Sequence, residues 1–147
     1  MARTPVYPVF VYGTLKQGFR NHAINRGVRR PGGFTTVEAL PLYIVGERFL
    51  PWLLNRPGQG FRVHGELYDC DAATLDEMDR LEGVGTPGWY GRHQLWIRPG
   101  AHLDGGSQAL YAWVYFGSEA GFARSACHFG PIPEYTQAHA REFVVRR

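Results

Sequence analysis

Val9-Phe10-Val11-Tyr12 is an unbroken run of β-branched and aromatic residues behind Pro8. It predicts a strand buried on both faces. The strand runs into Gly13, where the backbone can turn and a ligand can approach it closely. Asn21 is a candidate cap for a short helix from Arg20 to Val28, and Arg29 to Gly33 reads as a polar turn. Phe34 to Val45 alternates weakly and is interrupted by Pro41, which predicts an extended edge segment. Phe49, Leu50, Pro51, Trp52, Leu53 and Leu54 form an apolar cluster between Gly46 and Asn55, ahead of Pro57-Gly58, and are expected in the core. From Gly60 to Tyr68 the pattern alternates cleanly: Phe61, Val63, Gly65 and Leu67 against Arg62, His64, Glu66 and Tyr68, a strand. Asp71 caps a predicted helix through about Leu81. Strands follow at Gln94 to Arg98 and Gln108 to Phe116, separated by Pro99-Gly100 and Gly105-Gly106. Ser118 to Phe129 reads as a loop with helical character, and Glu134 to Val145 as a closing helix. Short strands, a central helix and Gly-rich turns together predict an α+β fold with a twisted, barrel-like sheet.

The central helix carries an anomaly. With Leu75 at 0° and about 100° per residue, Met78 falls near 300°, Leu81 near 240° and Glu82 near 340°. Asp76, Glu77 and Arg80 occupy the arc between about 100° and 200°, and Asp79 stands at its border. Glu82 therefore lies within the apolar stripe. Such a carboxylate is paired, turned outward at the helix end before Gly83, or functional. If buried, its pKa climbs from about 4.3 towards neutrality, as suits a general base. Asp79 is expected to be a dispensable neighbour.

Composition narrows the field. The 147 residues are 44% apolar and 14% aromatic, which predicts one globular domain, residues 1–147, with a sizeable core. No run reaches the length of a membrane span, and the first eight residues lack a signal peptide's apolar core, so a cytoplasmic location is expected. Net charge is +3, almost wholly from arginine. The basic pairs Arg29-Arg30 and Arg146-Arg147 are too sparse for a nucleic-acid footprint. Arginines do, however, attract a substrate with a free carboxylate. Cys70 and Cys127 fit neither a disulfide scaffold nor a zinc site, and both are expected as small buried hydrophobes.

Other chemistries fit poorly. Gly13 and Gly18 have the spacing of a phosphate loop, but Phe19-Arg20 follow where Lys and Ser/Thr are needed, and Lys16 lies inside the loop. No Gly-x-Ser-x-Gly is present, and the six histidines lack ligand spacing. The residues after Gly13 present successive amides, a candidate anion nest, or else a plain tight turn that ends a core strand.

Phe10-Val11-Tyr12-Gly13-Thr14-Leu15-Lys16 with Asn21-His22 resembles the signature of the γ-glutamylcyclotransferase-like (AIG2-like) family, most closely its γ-glutamylamine branch. Pro51-Trp52-Leu53-Leu54 and Val63-His64-Gly65-Glu66-Leu67-Tyr68 resemble further runs of that family. So does Leu81-Glu82-Gly83 followed by Pro87, Tyr90 and Arg92, though these three are displaced two residues by an insertion near Gly85-Thr86. The resemblance covers about residues 7 to 116. It implies a small mixed β-barrel with a few helices packed outside, and a small-molecule γ-glutamyl substrate. Glu82 would be the catalytic acid/base. Backbone amides around Tyr12, Gly13, Thr14 and Leu15 would hold the substrate's α-carboxylate, with Trp52 and Tyr90 walling the pocket. The α-amine would attack the γ-carbonyl, releasing 5-oxoproline and a free amine from a γ-glutamyl amine or a γ-glutamyl amino acid. The resemblance implies no metal or organic cofactor, and the chain is expected as a monomer or weak homodimer without membrane or nucleic-acid partners. The rival readings are a non-catalytic ligand-binding member of the fold and a nucleic-acid-contacting barrel.

Overall fold

β1 (Tyr7–Val11) is enclosed from both sides because its alternate side chains enter different cores. Phe10, with Tyr12 beyond the strand, joins a cluster with Phe34, Leu42, Leu67 and Ile97; Val9 and Val11 join another with Leu75, Met78 and Trp52. The computed structural model describes residues 4–100 and 108–145. In it β1 pairs antiparallel with β6 (His64–Cys70), from Tyr7 opposite Cys70 to Val11 opposite Glu66. Its other edge meets β8 (Leu110–Gly117) in parallel, at Val9 and Trp113. β8 lies antiparallel to β7 (Tyr90–Pro99), β7 to β3 (Phe34–Thr36), and β3 to β6. The circuit β1-β8-β7-β3-β6 returns to β1, closing a mixed five-stranded barrel.

β2 (Val28–Arg29) extends the edge of β6 beside β3. A second sheet places β4 (Leu42–Val45) between β5 (Leu50–Leu53) and β9 (Cys127–Phe129). The segment expected as one extended edge, Phe34 to Val45, is therefore two strands, each with neighbours on both sides. Its alternation is weak because Phe34, Thr35 and Thr36 are all buried, so neither face is left polar. Pro41 separates the two, its carbonyl accepting the Leu54 N–H at 3.1 Å.

The predicted cap holds. Asp71 Oδ1 accepts the Thr74 N–H at 2.8 Å and opens α1 (Ala72–Glu82), which ends at Gly83 in the left-handed region at φ 71°, as a C-terminal glycine allows. Thr74, Leu75 and Met78 form its buried face. Leu81 departs from the wheel and is 40% exposed. The helix expected from Arg20 to Val28 is only a 3-10 turn, His22–Ile24. Asn21 does not cap it; its amide donates instead to Thr14 Oγ1 at 2.8 Å. α2 (Glu119–Arg124), capped by Ser118, and α3 (Gln137–Val145) supply the later helices, with β9 between them. Cys70 is buried as expected; Cys127 is exposed, because β9 is an edge strand with all three residues at the surface. The Gly105-Gly106 turn and the Arg146-Arg147 pair lie outside the described residues. No helix among the described residues is long and apolar enough to cross a membrane.

Gly65 shows how tightly the barrel closes. A Cβ there would overlap the Val11 carbonyl oxygen and approach Phe10 Cζ to 2.7 Å. Gly65→Ala should therefore cost about 1–3 kcal/mol or more, as overpacking does. Gly33→Ala, where the nearest atom would be 3.9 Å away, should stay within about 0.5 kcal/mol. Urea denaturation of the two variants checks this, and equal costs would contradict the packing account.

Candidate active site

The chain leaves β1 at Tyr12 and enters a loop that forms one wall of a cavity of about 150 Å³. Tyr12 is buried and donates its hydroxyl hydrogen bond to the Tyr115 carbonyl at 2.5 Å. Gly13 follows because no Cβ fits: one placed there would stand 2.7 Å from Pro51 Cγ. The loop is cross-braced through its acceptors. Gly13 O takes the Lys16 N–H at 3.1 Å, Thr14 O the Asn21 N–H at 2.9 Å, and Leu15 O the Asn25 side-chain amide at 3.2 Å. The Gln17 N–H is bound by Glu66 Oε1 at 2.8 Å. Among the described residues, no acceptor is paired with the amides of Gly13, Thr14 and Leu15. All three residues line the cavity. Lys16 does not; its buried ammonium donates to the Tyr135 carbonyl at 2.6 Å over the Phe19 ring, and desolvation lowers its pKa.

Glu82, at the end of α1, lines the same cavity. Among the described residues no cation or donor is paired with its carboxyl. Burial alone pushes its pKa from an ordinary 4.5 to about 7. Tyr12, Tyr90 and Tyr115 stand around it: each phenol is raised first by burial and, among lesser causes, by the charge of Glu82. Each of these hydroxyls donates elsewhere, Tyr90 to Pro51 O at 2.5 Å and Tyr115 to Asp79 Oδ1 at 2.7 Å. Glu82 is thus surrounded by polar groups already engaged.

Asp79 is more than a border charge. Its two oxygens clasp Arg92, at 2.8 Å to Nε and 3.1 Å to Nη2, while Arg92 stacks over Trp113 at 4.4 Å. This pairing commits the Arg92 guanidinium to Asp79. The residues after α1 form tight turns, with Gly83, Gly85 and Gly88 all at positive φ, which glycine accepts without strain. They carry Trp89, 44% exposed, to the cavity wall.

The structure brings Tyr12, Gly13, Thr14, Leu15, Glu82 and Tyr90 to one cavity. Trp52 is the exception. It is enclosed, donates Nε1–H to Ser118 O at 3.0 Å and packs its ring 4.5 Å from that of Tyr90. It backs the wall rather than forming it. Its strand neighbour Pro51 faces the cavity instead, because successive strand residues point to opposite faces. Arg20, Asn21, Arg48 and Tyr115 also line the cavity and were not anticipated as a group. Asn21 alone had a signal, its place beside the Tyr-Gly-Thr-Leu run.

The raised pKa makes stability depend on pH. Below pH 4.5 Glu82 holds its proton folded or unfolded and contributes nothing to the difference. Between 4.5 and about 7 the unfolded chain has released that proton while the folded chain keeps it, so this contribution to stability falls as pH rises. Above 7 the penalty is complete. Glu82→Gln removes it, so the variant should gain about 2–3 kcal/mol relative to the native protein between pH 4 and pH 8. Denaturation midpoints across that range test this; a pH-independent difference would mean that Glu82 is not held in a desolvated place.

A family described as "Gamma-glutamyl cyclotransferase, AIG2-like" matches residues 9–130. Gamma-glutamylaminecyclotransferase of Homo sapiens is 39% identical over 118 residues, 73% of this chain and 76% of the human protein. The rat protein of that name is 43% identical over 95 residues, 61% of this chain. The bovine one is 41% identical over 114 residues, 74% of this chain. The matched stretch spans 62% and 64% of the rat and bovine proteins, less than two thirds of their length. Among solved structures, the crystal structure of an AIG2-like protein from Mus musculus superposes with a TM-score of 0.73 at 31% identity, covering 89% of this chain and 88% of that one. With the matched segment running from β1 to just beyond β9, and the barrel and cavity both inside it, the chain belongs to the AIG2-like γ-glutamyl cyclotransferase family.

Proposed function

We propose that this protein is a cyclotransferase that releases 5-oxoproline and a free amine from γ-glutamyl amines. The observation that carries the reading is one cavity lined both by a desolvated carboxyl and by three backbone amides, none of them with a paired partner among the described residues. The names of the related proteins support it.

The amides of Gly13, Thr14 and Leu15 hold the α-carboxylate of the glutamyl group, as consecutive loop amides bind anions. Glu82, ionised near neutral pH, takes a proton from the α-ammonium. The freed nitrogen attacks the γ-carbonyl carbon and closes a five-membered lactam while the bond to the departing nitrogen breaks. Starting as an ammonium, the attacking nitrogen gives up two protons; the departing nitrogen, starting as an amide, gains two and leaves as an ammonium. Glu82 ferries these protons, and no water or redox step is involved. Because nucleophile and electrophile belong to one molecule, orientation supplies much of the rate, about 7 kcal/mol or more in a well-held pose. A carboxyl with a pKa near the working pH suits both halves of the transfer.

Glu82→Gln keeps the shape and removes the base. Turnover should fall by about 10²–10⁴-fold while affinity for a γ-glutamyl compound survives. Glu82→Asp should fail too, because a shorter arm withdraws the carboxyl beyond hydrogen-bond reach. In the native protein kcat/KM should rise with pH through about 7 as Glu82 ionises. 5-Oxoproline release, followed by mass spectrometry, is the measurement. Near-native release from Glu82→Gln would overturn the assignment and leave a ligand-binding member of the fold.

Tryptophan fluorescence gives an independent reading of the pocket. Trp89 lines the cavity and Trp52 does not. The emission change on adding a γ-glutamyl ligand should vanish in Trp89→Phe and persist in Trp52→Phe; the reverse pattern would place the ligand elsewhere.

A further inference from the structure

The loop that presents the amides of residues 13–15 is gripped from outside the cavity by the far end of the chain. Lys16 is its pivot: the Lys16 N–H donates to Gly13 O at 3.1 Å, and Lys16 O accepts the Phe19 N–H at 3.0 Å. The Lys16 side chain runs away from the cavity to the Tyr135 carbonyl, 2.6 Å from Nζ. A second bond joins Gln137 Nε2 to Gly18 O at 3.1 Å. The segment that makes these contacts is itself fixed. The Ile132 N–H donates to Leu42 O of β4 at 2.9 Å, and Pro133 O accepts the His64 N–H of β6 at 2.8 Å. Tyr135 is fully enclosed in the barrel core, its ring 5.7 Å from that of Phe19. Residues 132–137 are therefore a strap bonded to both sheets, and the Tyr135 carbonyl is its fixed point on the loop.

An ammonium in this place is costly. Lys16 is 4% exposed, and lysine is almost never enclosed without a partner. Desolvation lowers its pKa, which the charges of Glu134 and Glu66 oppose. Those two carboxylates line, with Lys16, Arg29 and His64, a polar cavity of about 200 Å³. Among the described residues neither is ion-paired with Lys16, and Glu66 is paired with Arg29 at 3.5 Å instead. A methionine would fill the same space without the desolvation penalty. What the ammonium adds is a charged donor aimed at one carbonyl, a stronger bond than a neutral pair makes.

We infer that Lys16 is a positioning residue for the substrate: its bond to the Tyr135 carbonyl fixes the loop whose amides face the cavity, so the strap after β9 takes part in binding without touching the ligand. This inference rests on the cyclotransferase reading above. A loop ordered in advance spares the substrate the cost of ordering it. A carboxylate on those amides is held alike in ground and transition states, so loosening the loop raises KM and leaves kcat nearly unchanged. A lysine that served stability alone would give the opposite pattern. Unfolding would lower apparent kcat by removing active molecules, while those still folded kept the native KM.

Lys16→Met keeps the length of the side chain and removes the charged donor. With γ-glutamyl butylamide as substrate, KM should rise about tenfold or more while kcat stays near native. Gln137→Ala, which removes an exposed contact, should raise KM about two- to threefold. A titration with 5-oxoproline, read from the ¹⁵N-correlated shifts of the Gly13, Thr14 and Leu15 amides, checks the loop without turnover. Its midpoint should move upward in Lys16→Met by the same factor as KM. A native KM in Lys16→Met, whatever its kcat, overturns this inference and leaves the cyclotransferase reading standing. If Lys16→Met does not fold, Gln137→Ala decides alone, and a native KM there overturns the inference. Absence of 5-oxoproline release by the native protein overturns the cyclotransferase reading; the titration then decides the loop's part, and an unchanged midpoint overturns that as well.

Discussion

Everything in this fold depends on one strand being paired twice and covered twice. β1 takes β6 antiparallel on one edge and β8 parallel on the other, so it is the seam at which the barrel closes. A strand in that position has no solvent face, and its sequence has no polar alternation for that reason. The same closure explains Gly65, whose missing side chain lets β6 lie against Val11 and Phe10. Where β1 runs out of partners, after Val11, the backbone becomes available. Braced by its carbonyls and held at Gly13 against Pro51, the loop retains amides that have no paired acceptor among the described residues. That stretch of backbone open to the cavity is a consequence of how the barrel ends.

The electrostatics of the cavity depend on what has been kept from Glu82. A buried carboxylate normally recruits a cation, which would pull its pKa down and make it a poor base. Here the adjacent guanidinium, Arg92, is committed to Asp79 by two hydrogen bonds and stacked on Trp113. The three phenols donate to Tyr115 O, Pro51 O and Asp79. Glu82 is left with desolvation as the cause of its shift. Asp79 and Glu82 are three residues apart on one helix, yet their states diverge because one meets an arginine and the other a cavity.

The seam and the anomalous glutamate were legible because each breaks a local pattern: a strand without a polar face, and a charge inside an apolar stripe. The cap at Asp71 was legible because capping is local chemistry. What escaped depends on partners distant in sequence. Phe34 to Val45 looked like an edge because its neighbours, β6 and β7 for one half and β5 and β9 for the other, cannot be seen from the segment itself. The helix expected after Arg20 shrank to one turn because Asn21 is drawn to Thr14 instead of capping. The family resemblance of its run puts Trp52 at the pocket, although the two-residue period of a strand sets it and Pro51 on opposite faces. Tyr115 gave no sign, since only the pairing of β8 with β1 and β7 brings it to Glu82.

Floor and mouth of the cavity are built under different constraints. The floor comes from the barrel seam and the end of α1, where a change of one atom group meets backbone or a closed ring, as at Gly13 and Pro51. The mouth comes from the loops after β1 and β4 and from the turns beyond α1, where side chains are exposed and neighbouring glycines take up the backbone geometry. Substitution at the floor disturbs folding and chemistry together. At the mouth, charge and shape can change with little cost to the barrel. The floor is thus held by the fold itself, while the mouth, at Arg20, Arg48, Leu81 and Trp89, is where the surface of the cavity is open to change.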